Sequence, residues 1–156
     1  MKNVDLKEKY DMVFKEGSDN FFTCNVFHEA HTIVGMHDWE GLRVTDIGYS
    51  EEAIDNAISK FNIPNLDFIA DDYVNYNKKS DVITMQGVME HLDEPWDELK
   101  MMMDNFLEED GCLITSSPSF LNPRGYVWMT LQKLFDVPMS LTDLHFICPF
   151  DMEKFC

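Results

Sequence analysis

Between residues 25 and 37 the apolar positions Val26, Phe27, Ala30, Ile33 and Val34 recur at steps of three and four, the spacing of one helix face. Asp38-Trp39-Glu40-Gly41 reads as a turn, and residues 42–47 follow as a short β-rich run ending at Gly48. Ser50 then stands where an N-cap belongs, with Glu51 and Glu52 in a first turn whose dipole favours carboxylates. Ala53, Ile54, Ala57, Ile58 and Phe61 keep helical spacing until Pro64 closes the segment, which predicts a helix over 50–61. Short apolar runs bounded by polar or turn residues predict further strands over 66–70, 81–85 and 111–116. A helix opens at Pro95, a favourable first helical position, and its apolar face is Leu99, Met102, Met103, Phe106 and Leu107. Pro118, Pro123, Arg124 and Gly125 interrupt the pattern, residues 126–135 read as another helix, and Pro149 opens a last helical turn in an apolar, aromatic tail.

Strands that alternate with helices, each crossover long enough for a parallel connection, predict an α/β sheet of the doubly wound kind. In such sheets ligands bind beyond the carboxyl ends of the strands, where strand order reverses. Residues 1–24 read as a polar segment expected to cap or cover the core, and residues 25–156 as a single α/β domain.

Charge narrows the partners. The 156-residue chain carries a formal net charge of −17 without a visible Lys/Arg cluster, which disfavours nucleic acid held through its phosphates and anionic lipid. A small molecule or a protein is the expected partner. The N-terminus alternates charge and polarity and no apolar run approaches spanning length, so the chain reads as cytoplasmic, with no membrane association. Cys24, Cys112, Cys148 and Cys156 show no Cys-x-x-Cys pair and read as reduced core thiols. His28 and His31 are three apart rather than four and lack an evident third ligand, so they read as an exposed helix face and no metal ligands are assigned.

The segment Ser80-Asp81-Val82-Ile83-Thr84-Met85-Gln86-Gly87-Val88-Met89-Glu90-His91-Leu92-Asp93-Glu94-Pro95 resembles the fourth strand and following loop of the class I S-adenosylmethionine-dependent methyltransferases, in the branch acting on small molecules or sugars. Residues 106–118, from Phe106 through the Glu108-Glu109-Asp110-Gly111 turn to Pro118, resemble the same family's next helix end, turn and strand. The resemblance covers roughly residues 40–155 and implies a Rossmann-like fold, mainly parallel, with helices on both faces. It also implies S-adenosylmethionine as cofactor and methyl transfer to a small-molecule acceptor.

Residue by residue, the resemblance puts Gln86, Gly87, Val88 and Met89 at the border of an adenosine pocket, and Asp71 or Asp72 within reach of the adenine amino group, where both also read as a polar strand end. Methyl transfer is an in-line displacement that needs position and a water-poor site rather than a nucleophilic side chain. Where the acceptor is a hydroxyl, His91 and His145 are the candidate bases. His91 reads equally as a cap of the Pro95 helix, and His145 as a core histidine beside Phe146.

The family's glycine-rich loop is reduced here to Asp46 and Gly48, after which Tyr49-Ser50-Glu51-Glu52 resembles the segment beyond the family's second strand. A βα unit of roughly 20 residues is missing between them, unless residues 44–50 are themselves the second strand. The chain also stops at Cys156, before the last two strands the family carries. The shortened sheet is expected to close in the order 2-1-3-4, with the 66–70 strand beside the first. Its bare edge and the tail residues Phe146, Ile147, Phe150 and Phe155 point to a homo-oligomer. Two alternatives to an enzyme stand beside this: a non-catalytic methyltransferase-like binding or oligomerisation module, and an unrelated flavodoxin-like nucleotide binder using Gly48 and the Ser50 helix terminus.

Overall fold

The computed structural model describes residues 26–48, 51–60, 67–69, 71, 73–136 and 143–156. The polar segment 1–24, Cys24, Ser50, Leu66, Ala70 and Asp72 lie outside the described residues. In chain order the elements are α1 (Val26–Gly35), β1 (Val44–Asp46), α2 (Glu51–Lys60), a 3-10 turn Tyr73–Asn75, β2 (Ser80–Gln86), a 3-10 turn Met89–His91, α3 (Pro95–Phe106), β3 (Leu107–Ser116), α4 (Pro123–Phe135) and α5 (Pro149–Phe155). None of the described helices is long and apolar enough to cross a membrane.

The described strands form one parallel sheet in the order β1-β2-β3. Val44, Thr45 and Asp46 pair with Val82, Ile83 and Thr84, and Val82 through Gln86 pair in register with Cys112 through Ser116. This is a small α/β fold, with the predicted first, third and fourth strands side by side.

The predicted strand over 66–70 is corrected: residues 67–69 are not in a strand. A parallel strand flanked by helices is buried on both faces, whereas Asp67 is exposed and Ile69 keeps 53% of its surface in solvent. The expected 2-1-3-4 order therefore contracts to three strands among the described residues.

β2 is the central strand and is buried from Val82 to Met85, with Val82, Ile83 and Met85 in the core and Thr84 between them. The core joins Ile83 and Met85 to Val88, Met89 and Leu92 after the strand, to Leu99, Met102 and Phe106 of α3, and to Leu107 and Ile147. Met103, expected on the same face, is exposed instead. At 100° per residue it lies at the edge of the stripe that Leu99, Met102 and Phe106 centre.

The amino edge of the sheet is fastened by Arg43. Its backbone N–H donates to Asp81 Oδ2 at 2.8 Å, and its Nη2 donates to Glu108 Oε1 at 2.5 Å. Hydrogen bonding to Glu108 and then Asp81 pushes the guanidinium further up from its ordinary value. The Arg43 backbone N–H, helped by the guanidinium, in turn holds Asp81 below the usual carboxylate range. Between the pairs Ser80↔Leu107 and Val82↔Cys112 the residues 108–111 bulge out of β3. Gly111 makes the bulge feasible, since a Cβ there would lie 2.8 Å from Leu107 Cδ1 and 2.9 Å from the Glu108 carbonyl oxygen.

The tail folds back on its own chain. Ile147 enters the core, Phe155 meets Trp96 at a ring separation of 5.5 Å, and Phe146 meets Phe120 edge-on at 4.9 Å. Phe150 is the tail aromatic left mainly in solvent, at 61%. The cysteines are a further correction: Cys112 and Cys148 are half-buried and Cys156 is exposed, so none of these thiols is a core residue.

Candidate functional site at the carboxyl edge of the sheet

At the carboxyl edge, β2 ends in Gln86 and turns through Gly87, whose φ of +62° lies in the left-handed region that favours glycine. The Gly87 N–H donates to the Ser116 carbonyl at 3.0 Å, which keeps the turn against the end of β3. Next to it, β1 ends in Asp46, and the chain follows β2 one residue further through Ile47 N–H to the Thr84 carbonyl at 2.9 Å. Thr84 Oγ1 donates to the Asp46 carboxylate. Asp46, Gly48 and Gln86 are exposed, so the ends of two adjacent strands present polar groups to solvent.

Val88 and Met89 behave differently from the expectation. Their side chains are buried in the core, at 3% and 0% exposure, because the 3-10 turn after Gly87 rolls its apolar residues inward. The expected apolar wall for an adenosine is therefore not presented by these side chains, and their backbone is what remains. Asp71 accepts a hydrogen bond from Asn75 Nδ2 at 2.9 Å, beside the Tyr73–Asn75 turn.

His91 is not the cap of α3: the N-cap is Glu94, which makes no side-chain capping bond, and the helix begins with Pro95. Instead His91 is buried at 4% between two carboxylates. Its Nε2 lies 3.8 Å from Glu90 Oε1, and its Nδ1 lies 3.3 Å from Asp143 Oδ1. Glu90, itself 2% exposed, accepts a hydrogen bond from Ser117 Oγ at Oε2, 2.9 Å away. A buried carboxylate persists where it is hydrogen-bonded, and Glu90 has that from Ser117 on a separate segment, whereas His91 Nδ1 lies near Asp143 without a hydrogen bond.

Asp143 reaches this turn because the tail is tied to it. The N–H groups of Leu144 and His145 donate to the Glu90 carbonyl at 2.7 and 3.2 Å, and His145 Nε2 lies 2.8 Å from the Leu92 carbonyl. A carbonyl only accepts, so His145 carries its proton on Nε2 and serves as a tether. The two candidate bases thus occupy different positions: His91 inside a carboxylate cluster, His145 half-buried on a backbone oxygen.

Sequence reasoning named His91 but gave no role to Glu90 or Asp143. The Glu90-His91 dipeptide after an apolar strand was a usable signal; Asp143 was not, because only the folding back of the tail brings it near. A cleft of about 390 Å³ lies at the opposite edge of the sheet, lined by His37, Leu42, Asp81, Val82 and residues 108–112. Its position at the amino ends of the strands is the reverse of where doubly wound sheets bind ligands, and two of its carboxylates, Asp81 and Glu108, are already engaged with Arg43. Comparison with protein-family models, curated proteins and solved structures gave no match.

Proposed function

We propose that the chain is a methyltransferase-like α/β domain of the class I S-adenosylmethionine-dependent kind, with transfer of a methyl group to a small-molecule acceptor as its underlying reaction. The observation that carries this reading is that residues 80–116 fold as strand, turn, helix and parallel neighbouring strand, with Gln86 and Gly87 at the carboxyl edge. That is the arrangement the resemblance of this segment requires; a hairpin or a continuous helix there would have removed its basis.

The residues present fit the cofactor in part. Asp46 and Gly48 at the end of β1, with Gln86 and the backbone of Gly87 at the end of β2, would hold S-adenosylmethionine by polar contacts. The cofactor supplies an electrophilic methyl group on a sulfonium when bound. The chain's part is to bind it and to exclude water at the strand ends. Neither candidate base lies free at that edge, since His91 is buried and His145 tethers the tail.

A second reading, a non-catalytic binding module, is favoured by one observation. The side chains of Val88 and Met89, offered by the resemblance as pocket walls, are inside the core. Calorimetric titration with S-adenosylmethionine and S-adenosylhomocysteine separates the two. Heat fitting a Kd tighter than about 1 mM, near 4 kcal/mol of association, supports the cofactor site; no heat at high protein concentration leaves the binding module. Gly48→Ala sharpens the test, because an added Cβ meets nothing within 4 Å. It is expected to weaken cofactor binding without lowering Tm.

A further inference from the structure

We propose that Glu90 and His91, oriented by Ser117 and Asp143, bind one divalent transition-metal ion at the carboxyl edge of the sheet. The 3.8 Å between Glu90 Oε1 and His91 Nε2 is longer than a hydrogen bond. It suits two ligands of one ion: bond lengths of about 2.1 Å put such atoms roughly 3.4–4 Å apart at angles from tetrahedral upward.

The surrounding groups hold each ligand in place. Asp143 Oδ1 stands 3.3 Å from His91 Nδ1, the ring nitrogen facing away from Glu90. At this approach Nδ1 makes no hydrogen bond; a metal on Nε2 would put the ring proton on Nδ1, the side of Asp143, as in the carboxylate–histidine–metal arrangement where an outer carboxylate orients the imidazole. Ser117 Oγ donates to Glu90 Oε2 at 2.9 Å and so directs Oε1 inward. Glu90, His91 and Asp143 each offer a ligand atom within 4.8 Å of the others. Glu90 and His91 are more than nine-tenths buried, unlike the surface carboxylates of this acidic chain.

A Cβ on Gly87 would lie 3.4 Å from Glu90 Oε1, so this oxygen sits against the turn that ends β2. An ion there completes its coordination with water or with an oxygen of a molecule bound at the strand ends. Imidazole with carboxylate favours Mn²⁺ or Zn²⁺ over Ca²⁺. The proposal stands independently of the methyl-donor reading.

The test uses the full chain, stripped with chelator and titrated with Mn²⁺ while free Mn²⁺ is followed by electron paramagnetic resonance, with Zn²⁺ as competitor. One saturable Mn²⁺ per chain, displaced by Zn²⁺, is expected. Glu90→Gln and His91→Asn should weaken it roughly 100-fold, and Asp143→Asn, as an outer partner, roughly 10-fold. A Glu109→Gln/Asp110→Asn variant of the exposed bulge should bind as the parent does. Weak uptake at many sites in the parent chain, or an unchanged affinity in Glu90→Gln, overturns the proposal. Glu90→Gln decides the matter if His91→Asn does not fold, because it keeps the size of the side chain and an oxygen for Ser117. Titration of the chelated protein with S-adenosylmethionine is read separately, so failure of either site leaves the other standing.

Discussion

The backbone N–H of Leu144 donates to the carbonyl of Glu90 at 2.7 Å, which binds the C-terminal tail to the turn that ends the central strand. His145 strengthens the tie from its side chain through the Leu92 carbonyl. His145→Ala is therefore expected to lower stability by about 1 kcal/mol, the worth of one net hydrogen bond. It should also raise amide exchange over residues 144–156 while β2 stays protected. Unchanged Tm and unchanged exchange would show that the His145 side chain does not hold the tail.

The two methionines of the Met102-Met103 pair should part company on truncation. Met102 is fully buried under the sheet and Met103 lies at the edge of the helix stripe, 39% exposed. Met102→Ala is expected to cost about 2–5 kcal/mol, as other large-to-small core changes do. Met103→Ala should stay within about 0.5 kcal/mol. Chemical denaturation of both variants against the parent measures the difference.

These contrasts also mark how far the sequence could be read. The runs around Val82–Met85 and Leu113–Thr115 were legible as strands because a central parallel strand is apolar on both faces, and α3 was legible from Pro95 and its 3.6-residue stripe. The run around Ile69 misled because short apolar stretches have the same composition whether or not a neighbouring strand exists to bury them. At the site, Gly87 and Gln86 were legible as a strand end. The inward rotation of Val88 and Met89 was not, since apolar residues suit a pocket wall and a core equally. The Asp143 partner of His91 depends on a long-range return of the chain that periodicity does not encode.

Gly87→Ala tests the turn itself. The substitution places an L side chain at φ +62°, a left-handed conformation that costs about 1–2 kcal/mol, and brings a Cβ to 3.4 Å from Glu90 Oε1, tighter than an open site but short of a clash. Loss of stability near that magnitude in urea titration is expected. A change below about 0.3 kcal/mol would mean that the turn relaxes and that its conformation is not fixed by the Ser116 contact.

The acid side of the stability profile should depend on Asp151. This residue sits in the first turn of α5, and hydrogen bonds from Cys148, its thiol first and its backbone N–H at 3.0 Å second, hold the carboxyl below the usual carboxylate range. A depressed folded-state value means that the unfolded chain takes up the proton first as pH falls. The stabilisation is therefore complete above the ordinary aspartate value, near 3.9, and is lost as pH drops through the lower folded value. The Tm difference between the parent and Asp151→Ala should be constant from about pH 7 to pH 5 and shrink below about pH 4. Thermal melts across that range at fixed ionic strength check it; a difference that widens toward low pH would show that the carboxylate is not the form that caps α5.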